Sequence, residues 1–493
     1  MTLRCLFVDF NSYFASVEQH DEKRYRGRPL GVVPVLSPTT CCIAASYEAK
    51  AFGVKTGTPV WEALEKCPDM MLVQARPARY IQMHHELMAL IEDCIHHETP
   101  GSIDEVHCHL LGRERQRENA VAIAMQIKER LADFSEAIRC SIGIAPNRFL
   151  AKTASDMQKP DGLTVLEETD LPHALHRLDL RDLCGIGQSM EQRLRDAGID
   201  SVEALCASSR ERLRRAWGSI EGERFRLQLR GHELPERKTT KGSVGHSHVL
   251  GPELRNFQGM RSVVFKLLAK AAMRMRDDGY VARGLALHVR FVGIDERFSR
   301  FDAFEPLSDT PTLLHLLARQ LQPLEHAQQN GRWKSKRHPP LSVAVTLTGV
   351  EEAGRQSGEL LPARNRALRV THALDRINGK FGNNTLYFGA MDEAIRHDAA
   401  PMRIPFSTIP DVRREEEGGD QATHSPDQGC DHELWLLRER QFKVLAETAH
   451  RESRAKTHEH GQESPRMGAG GWNWRGQASH VEVERGQTLP LFR

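Results

Sequence analysis

Apolar residues come in short blocks along this chain, and their spacing switches between a strand-like and a helix-like period. Residues 3–8 form a short apolar run closed by Asp9, which predicts a buried strand. Residues 12–22 read as a helix with Ser12 as its cap. A second β-rich run at 30–35 is closed by Ser37 and Pro38. Helical pattern then alternates with strands through 47–52, 60–66, 78–97, 106–111, 119–134, 142–144 and 148–157. Such alternation predicts an α/β or split βαβ domain. From 171 to about 230 the pattern is helical and strand-poor, with Leu183-Cys-Gly-Ile-Gly-Gln188 between helices. Residues 237–246 are basic, contain Gly, Ser and Thr, keep no period, and read as a linker. A helix (254–278), strand (285–292), helix (312–321), strand (341–347) and helix (362–381) predict a compact α+β module. After about residue 391 the order signals fade, and 413–420 and 457–480 read as loop or disorder around a helix at 431–450.

Composition narrows the class. The 493 residues, 40% hydrophobic and 27% charged, are enough for about three domains with ordinary cores. No run approaches the roughly 18 apolar residues of a membrane helix, and Asp9 cuts the N-terminal run too early for a signal peptide. None of the ten Cys lies in a Cys-x-x-Cys pair, so a reducing, cytoplasmic setting is expected. The net charge of +2 hides a division: residues 241–390 hold 22 Lys and Arg against 13 Asp and Glu, while 391–493 hold 14 against 18. The basic block suits a polyanion; a solvated surface with no partner reads equally well from charge alone.

Asp9 and the pair Asp104-Glu105 stand at the ends of apolar strands, where carboxylates are costly unless a cation or donors satisfy them. Three such groups could hold two Mg²⁺ ions about 3.5–4 Å apart, though spacing alone favours exposed strand-end acids. Strict alternation also sends Asp104 and Glu105 to opposite faces, so convergence needs a twisted strand start or a bulge. Glu105, His107 and His109 would share a face, but two histidines without further close ligands favour exposed strand residues over a zinc site.

Four segments then point to a family: Phe7-Val-Asp-Phe-Asn-Ser-Tyr-Phe-Ala-Ser-Val-Glu18, Tyr47-Glu-Ala-Lys-Ala-Phe-Gly-Val54, Ser102-Ile-Asp-Glu-Val106, and the run from Ser141-Ile-Gly-Ile-Ala-Pro-Asn-Arg148 to Lys159-Pro-Asp-Gly162. In this order they resemble the Y-family translesion DNA polymerases, above all the DNA polymerase IV branch, from residue 3 to about 390. The resemblance implies an α+β, multidomain right-hand polymerase: a ferredoxin-like palm (1–23 and 77–167), small fingers (24–76), a helical thumb with a helix-hairpin-helix (168–236), a linker (237–246), an α+β little finger (247–390) and a largely disordered tail (391–493). It implies template-directed nucleotidyl transfer with Asp9, Asp104 and Glu105 holding two divalent metals, Mg²⁺ with Mn²⁺ as a possible substitute, and Phe10 adding its backbone carbonyl. Phe14 matches the steric gate under the incoming sugar. Tyr13, Tyr47, Lys50 and Lys159 match positions around the triphosphate, and Lys50 departs from the usual Arg, keeping charge but losing the bidentate fork. Read without the family, Phe14 is a helix core residue and Lys159 a solvated loop lysine.

Gly185 and Gly187 resemble the thumb hairpin whose backbone N–H groups meet a DNA phosphate, an ordinary glycine turn being the alternative. At the C-terminal end, Gln487, Leu489, Leu491 and Phe492 resemble a sliding-clamp-binding peptide, with Gln487 one residue further upstream than in the shortest form. Expected partners are primer-template DNA, dNTPs and the clamp, with no membrane, for a monomer working in the cytoplasm at the nucleoid. The alternatives are a non-catalytic accessory subunit of the same family, against which the three retained acids argue, and a two-metal nuclease or cyclase on a similar palm.

Overall fold

The computed structural model describes residues 3–235, 240–333, 337–355, 362–400, 402–406 and 409–412. Strand β1 (Cys5–Phe10) is buried at all six positions because it lies inside a sheet covered on both faces. It is followed by α1 (Tyr13–Asp21), β2 (Leu30–Val33), β3 (Ala44–Ala45), α2 (Tyr47–Ala51), α3 (Val60–Lys66), β4 (Met71–Gln74), α4 (Pro77–Glu92), β5 (Glu105–His109), α5 (Arg117–Phe134), β6 (Cys140–Ala145), α6 (Arg148–Met157) and β7 (Leu163–Val165). The first sheet has the order β5-β1-β6-β7, with β1 antiparallel to both neighbours and β7 parallel to β6. Leu6, Val8 and Phe10 join one apolar cluster with Met83 and Leu87 of α4 and Ala124 and Ile127 of α5. Cys5 and Phe7 face the other way, into a cluster with Phe149, Leu150 and Ala154 of α6. Double coverage is why β1 reads as a continuous apolar run instead of an alternating one. Helix α6 lies very close to β6: a Cβ on Gly143 would sit 1.9 Å from the Ala151 carbonyl oxygen.

A small sheet, β3-β2-β4, carries α2 and α3 around Val33, Ala49, Val60 and Ala63. The helical region holds α7 (Gln188–Asp196), α8 (Val202–Ala207), α9 (Arg210–Trp217) and α10 (Glu221–Gln228). Ser201 and Ser209 cap α8 and α9 by accepting from Ala204 and Arg212 N–H. The last module comprises β8 (Ser243–Val249), α11 (Phe257–Asp277), β9 (Tyr280–Phe291), β10 (Arg297–Leu307), α12 (Thr310–Gln329), β11 (Pro340–Thr348), α13 (Pro362–Phe381) and α14 (Asp392–Arg396). Its sheet, β10-β9-β11-β8, is antiparallel throughout. Leu285, Leu287, Val289, Val343 and Val345 pack beneath α11 and α12. Asn256 and Asp309 cap those helices through Gly259 and Thr312 N–H.

Several expectations change. Ser12 stands at the N-cap of α1 but lies in the left-handed region (φ 48°, ψ 42°), and its side chain makes no cap bond. The linker expected at 237–246 gives way to β8 from Ser243, whose Val244 is buried beneath the last module's helices. Strand β10 escaped the pattern because it is an edge strand whose phenylalanines recur every third residue, at 298, 301 and 304, instead of alternating, and Phe301 is exposed. Order also persists past 391, since α14 and residues 402–406 and 409–412 pack on two different cores. Among the described residues no helix is long and apolar enough to cross a membrane.

Candidate active site

The β1–β5 register sets Asp9 directly opposite Glu105, so the two carboxylates share a face of the sheet. Asp104 escapes the alternation problem because it precedes β5, in a turn closed by a bridge between Ser102 and Glu105. That turn is held from three sides. Ser102 Oγ donates to Asp104 Oδ1 at 2.7 Å, Phe10 N–H donates to the Asp104 carbonyl at 2.9 Å, and His84 Nδ1 donates to the Ile103 carbonyl at 2.8 Å. Burial lowers His84 to about 4, so its ring is neutral with the proton on the nitrogen that faces Ile103.

Burial pushes the Asp9 carboxyl up to about 7 against the pull of Lys159. Burial, and then the charge of Glu105, raises Asp104 as well. Lys159 Nζ donates to Asp9 at 2.6 Å and pairs with Asp156 at 2.8 Å, while Lys152 pairs with Glu105. Among the described residues no three His, Cys, Asp or Glu side chains are gathered as ligands of one ion; two of the three carboxylates are turned onto lysines. The donor set is nevertheless all oxygen, which suits a hard divalent cation. A cation there would offset the desolvation and like-charge repulsion that now raise Asp9 and Asp104.

Helix α2, capped by Ser46 through Ala49 N–H, carries Tyr47 and Lys50 to the same place. Lys50 Nζ stands 4.2 Å from the centre of the Tyr47 ring. Burial and then the charge of Lys159 lower Lys50; burial raises Tyr47, on which Lys159 and Asp9 also act. Tyr47, Lys50, Lys159 and Asp9 therefore occupy one neighbourhood. The Tyr13 hydroxyl donates to the Tyr80 carbonyl at 2.7 Å, so its side chain serves the core and any contact with a ligand falls to its backbone. Phe14 is buried and stacks on Tyr80 at 4.6 Å.

Three positions that sequence reasoning passed over hold this arrangement. Buried Asn11 donates to Ser141 Oγ at 3.0 Å and accepts from Asp161 N–H at 2.7 Å, tying β1 to β6 and to the loop that carries Lys159. Lys152, on α6, neutralises Glu105. Buried Glu18 on α1 accepts from Arg76 Nη2 at 2.7 Å and from the Tyr80 hydroxyl at 2.7 Å. The available signal was a polar side chain inside an otherwise apolar or helical stretch. His107 corrects an expectation in the other direction: it is 7% exposed, whereas His109 is exposed.

Away from the carboxylates, Gly185 adopts φ 90°, and Gly187 is the N-cap of α7 with no side chain to satisfy the helix's first N–H groups. The tail positions Gln487, Leu489, Leu491 and Phe492 lie outside the described residues, so the clamp reading rests on sequence alone.

Residues 8–156 match the impB/mucB/samB family, 168–199 the IMS family HHH motif, and 241–360 the impB/mucB/samB family C-terminal domain. The DNA polymerase IV of Pelotomaculum thermopropionicum is 30% identical over 393 residues, spanning 78% of this chain and 94% of that protein. That of Moorella thermoacetica is 31% identical over 392 residues, with the same shares. Among solved structures, a Y-family DNA polymerase chimera, Dbh-Dpo4(243-245)-Dbh, shares the fold with a TM-score of 0.57 at 23% identity, over 71% of this chain and 99% of that one. With the three family segments in order and relatives matched over nearly their full length, the chain belongs to the Y family of translesion DNA polymerases, on its polymerase IV branch.

Proposed function

We propose that the chain extends a primer on a DNA template by two-metal nucleotidyl transfer. The primer 3′-oxygen bonds to the α-phosphorus of a deoxynucleoside triphosphate, pyrophosphate leaves, and the hydroxyl proton passes to solvent. Asp9, Asp104, Glu105 and the Phe10 carbonyl would hold two Mg²⁺ ions, or Mn²⁺ in their place, which when bound stabilise charge on the attacking and leaving oxygens. The supporting observation is that these carboxylates lie at one end of the β1–β5 pair beside Tyr47, Lys50 and Lys159. Lys159, whose ammonium now bonds Asp9, is placed to exchange that partner for a triphosphate oxygen, with Lys50 adding a second positive charge. Phe14 is the proposed gate against a 2′-hydroxyl. The backbone at Gly185 and Gly187 and the basic little finger would hold the primer-template by its phosphates.

Asp104→Ala should abolish primer extension at saturating Mg²⁺ while leaving primer-template binding within about twofold of the parent. Near-normal extension by that variant would overturn the ligand assignment. Binding lost together with extension would point to a structural role for the 102–104 turn.

A further inference from the structure

After α14 the chain leaves the little finger and crosses to the palm. Its root is fixed on α11. Ser262 Oγ accepts from Ala394 N–H at 2.9 Å, the fully buried Lys266 donates to the Ala399 carbonyl at 2.8 Å, and Lys270 donates to the Ala400 carbonyl at 2.7 Å. Residues 402–406 then lie on the palm, where Met402, Ile404 and Phe406 pack against its apolar cluster. The Phe406 carbonyl accepts from Ile103 N–H at 2.9 Å, one residue before Asp104. Its ring meets Phe14 edge to face, with centroids 5.6 Å apart and planes at 64°. Tyr80 stacks on Phe14 at 4.6 Å, and Phe14 keeps only 4% of its surface exposed. A ring that rejects a 2′-hydroxyl has to present a face to the sugar, and this ring presents none.

We propose that residues 402–406 are an intrachain cover of the nucleotide pocket, with Phe406 standing on the surface of Phe14 that the sugar of an incoming nucleotide would use. The proposal rests on Phe14 being the sugar gate. Cover and nucleotide then exclude one another, and the apparent affinity for nucleotide falls by the fraction of molecules left uncovered. The root on α11 connects the cover to the domain proposed to grip DNA.

Two measurements on the full chain test this. Phe406→Ala removes the ring from the gate but keeps the backbone bond to Ile103. An edge-to-face aromatic contact is worth roughly two- to tenfold in an equilibrium, so KM for dNTP should fall by about that factor with kcat unchanged. The wild-type chain supplies the second readout, because the bond after Arg403 is a trypsin site within the cover. Trypsin should cut there slowly in the free enzyme and several-fold faster with a 3′-dideoxy-terminated primer-template and the matching dNTP bound. An unchanged KM for Phe406→Ala, or an Arg403 bond that stays equally protected in the ternary complex, overturns the cover. Phe14→Ala separates the underlying reading: if it leaves the ribonucleotide-to-deoxyribonucleotide ratio at the wild-type value, the gate itself is wrong. If that ratio shifts while Phe406→Ala changes nothing, only the cover is wrong.

Discussion

Asn11 shows how one uncharged side chain can set the positions of several charged ones. Its amide spans β1, β6 and the Lys159 loop, through a buried bond to Ser141 and a partly buried one from the Asp161 N–H. Asn11→Ala takes the acceptor from the Asp161 N–H and also breaks the buried bond to Ser141, and an unmade buried hydrogen bond costs about 1–3 kcal/mol. The urea midpoint should fall accordingly, and KM for dNTP should rise because Lys159 lies two residues from the freed anchor. An unchanged midpoint together with an unchanged KM would reduce Asn11 to a space-filling residue. Asp9, Asp104 and Glu105 drew notice in the sequence as carboxylates at the ends of apolar runs, but spacing alone favoured exposed strand-end acids, and only the family segments set them apart. Their convergence was not legible, since only the turn before β5 frees Asp104 from strand alternation. Asn11 was missed because an amide beside Asp9 looks like one more loop residue until its partners, 130 and 150 positions away, are known.

Helix α6 depends on a single absent side chain. Gly143 lets the helix lie against β6 so closely that a Cβ would sit 1.9 Å from the Ala151 carbonyl oxygen and 2.5 Å from the Ser155 nitrogen. Both are backbone atoms, so no rotamer change relieves the clash and the helix itself has to move. Overpacking of this kind costs roughly 1–3 kcal/mol. The displaced helix carries Lys152, the partner of Glu105, and leads into Lys159. Gly143→Ala should therefore lower the melting temperature by several degrees and reduce extension far more than the loss of folded protein explains, as circular dichroism beside a primer-extension assay would show. Full activity in the folded fraction would mean that the helix does not set the lysine positions. Elements covered on one or both faces stood out in the sequence, β1 as a continuous apolar run and α4 and α11 through their helical apolar period. Strand β10 did not, because its phenylalanines at 298, 301 and 304 recur every third residue and not every second, and β8 was hidden by a run of Gly, Ser and His.

Charge distribution across the whole molecule, unlike its net charge, carries an argument about DNA. The open face of the little-finger sheet sets Arg290 of β9 against Arg297 of β10 in register, with Ser299 and His288 as the next pair. Burial, and then the charge of Arg297, lowers Arg290. Two guanidinium groups side by side concentrate positive charge, which Asp295 offsets in part at Arg290, and a run of phosphates is a polyanion suited to such a patch. The basic excess of residues 241–390 was legible in the sequence, but which strand pair would display it was not, because β10 was missed. If Arg290 and Arg297 each neutralise one duplex phosphate, changing both to Gln should make the slope of log affinity against log salt shallower by about 0.9 for each phosphate no longer neutralised. Affinity at low salt should drop for every DNA sequence alike, since phosphates carry no base information. The extension rate at saturating DNA should be unchanged, because both residues belong to a different sheet from the one that carries Asp9 and Glu105. Fluorescence anisotropy of a labelled primer-template over a salt series measures the slope directly. A slope equal to the parent's would show that this sheet face does not touch duplex phosphate, and the DNA path would then have to run along the helical side of the little finger.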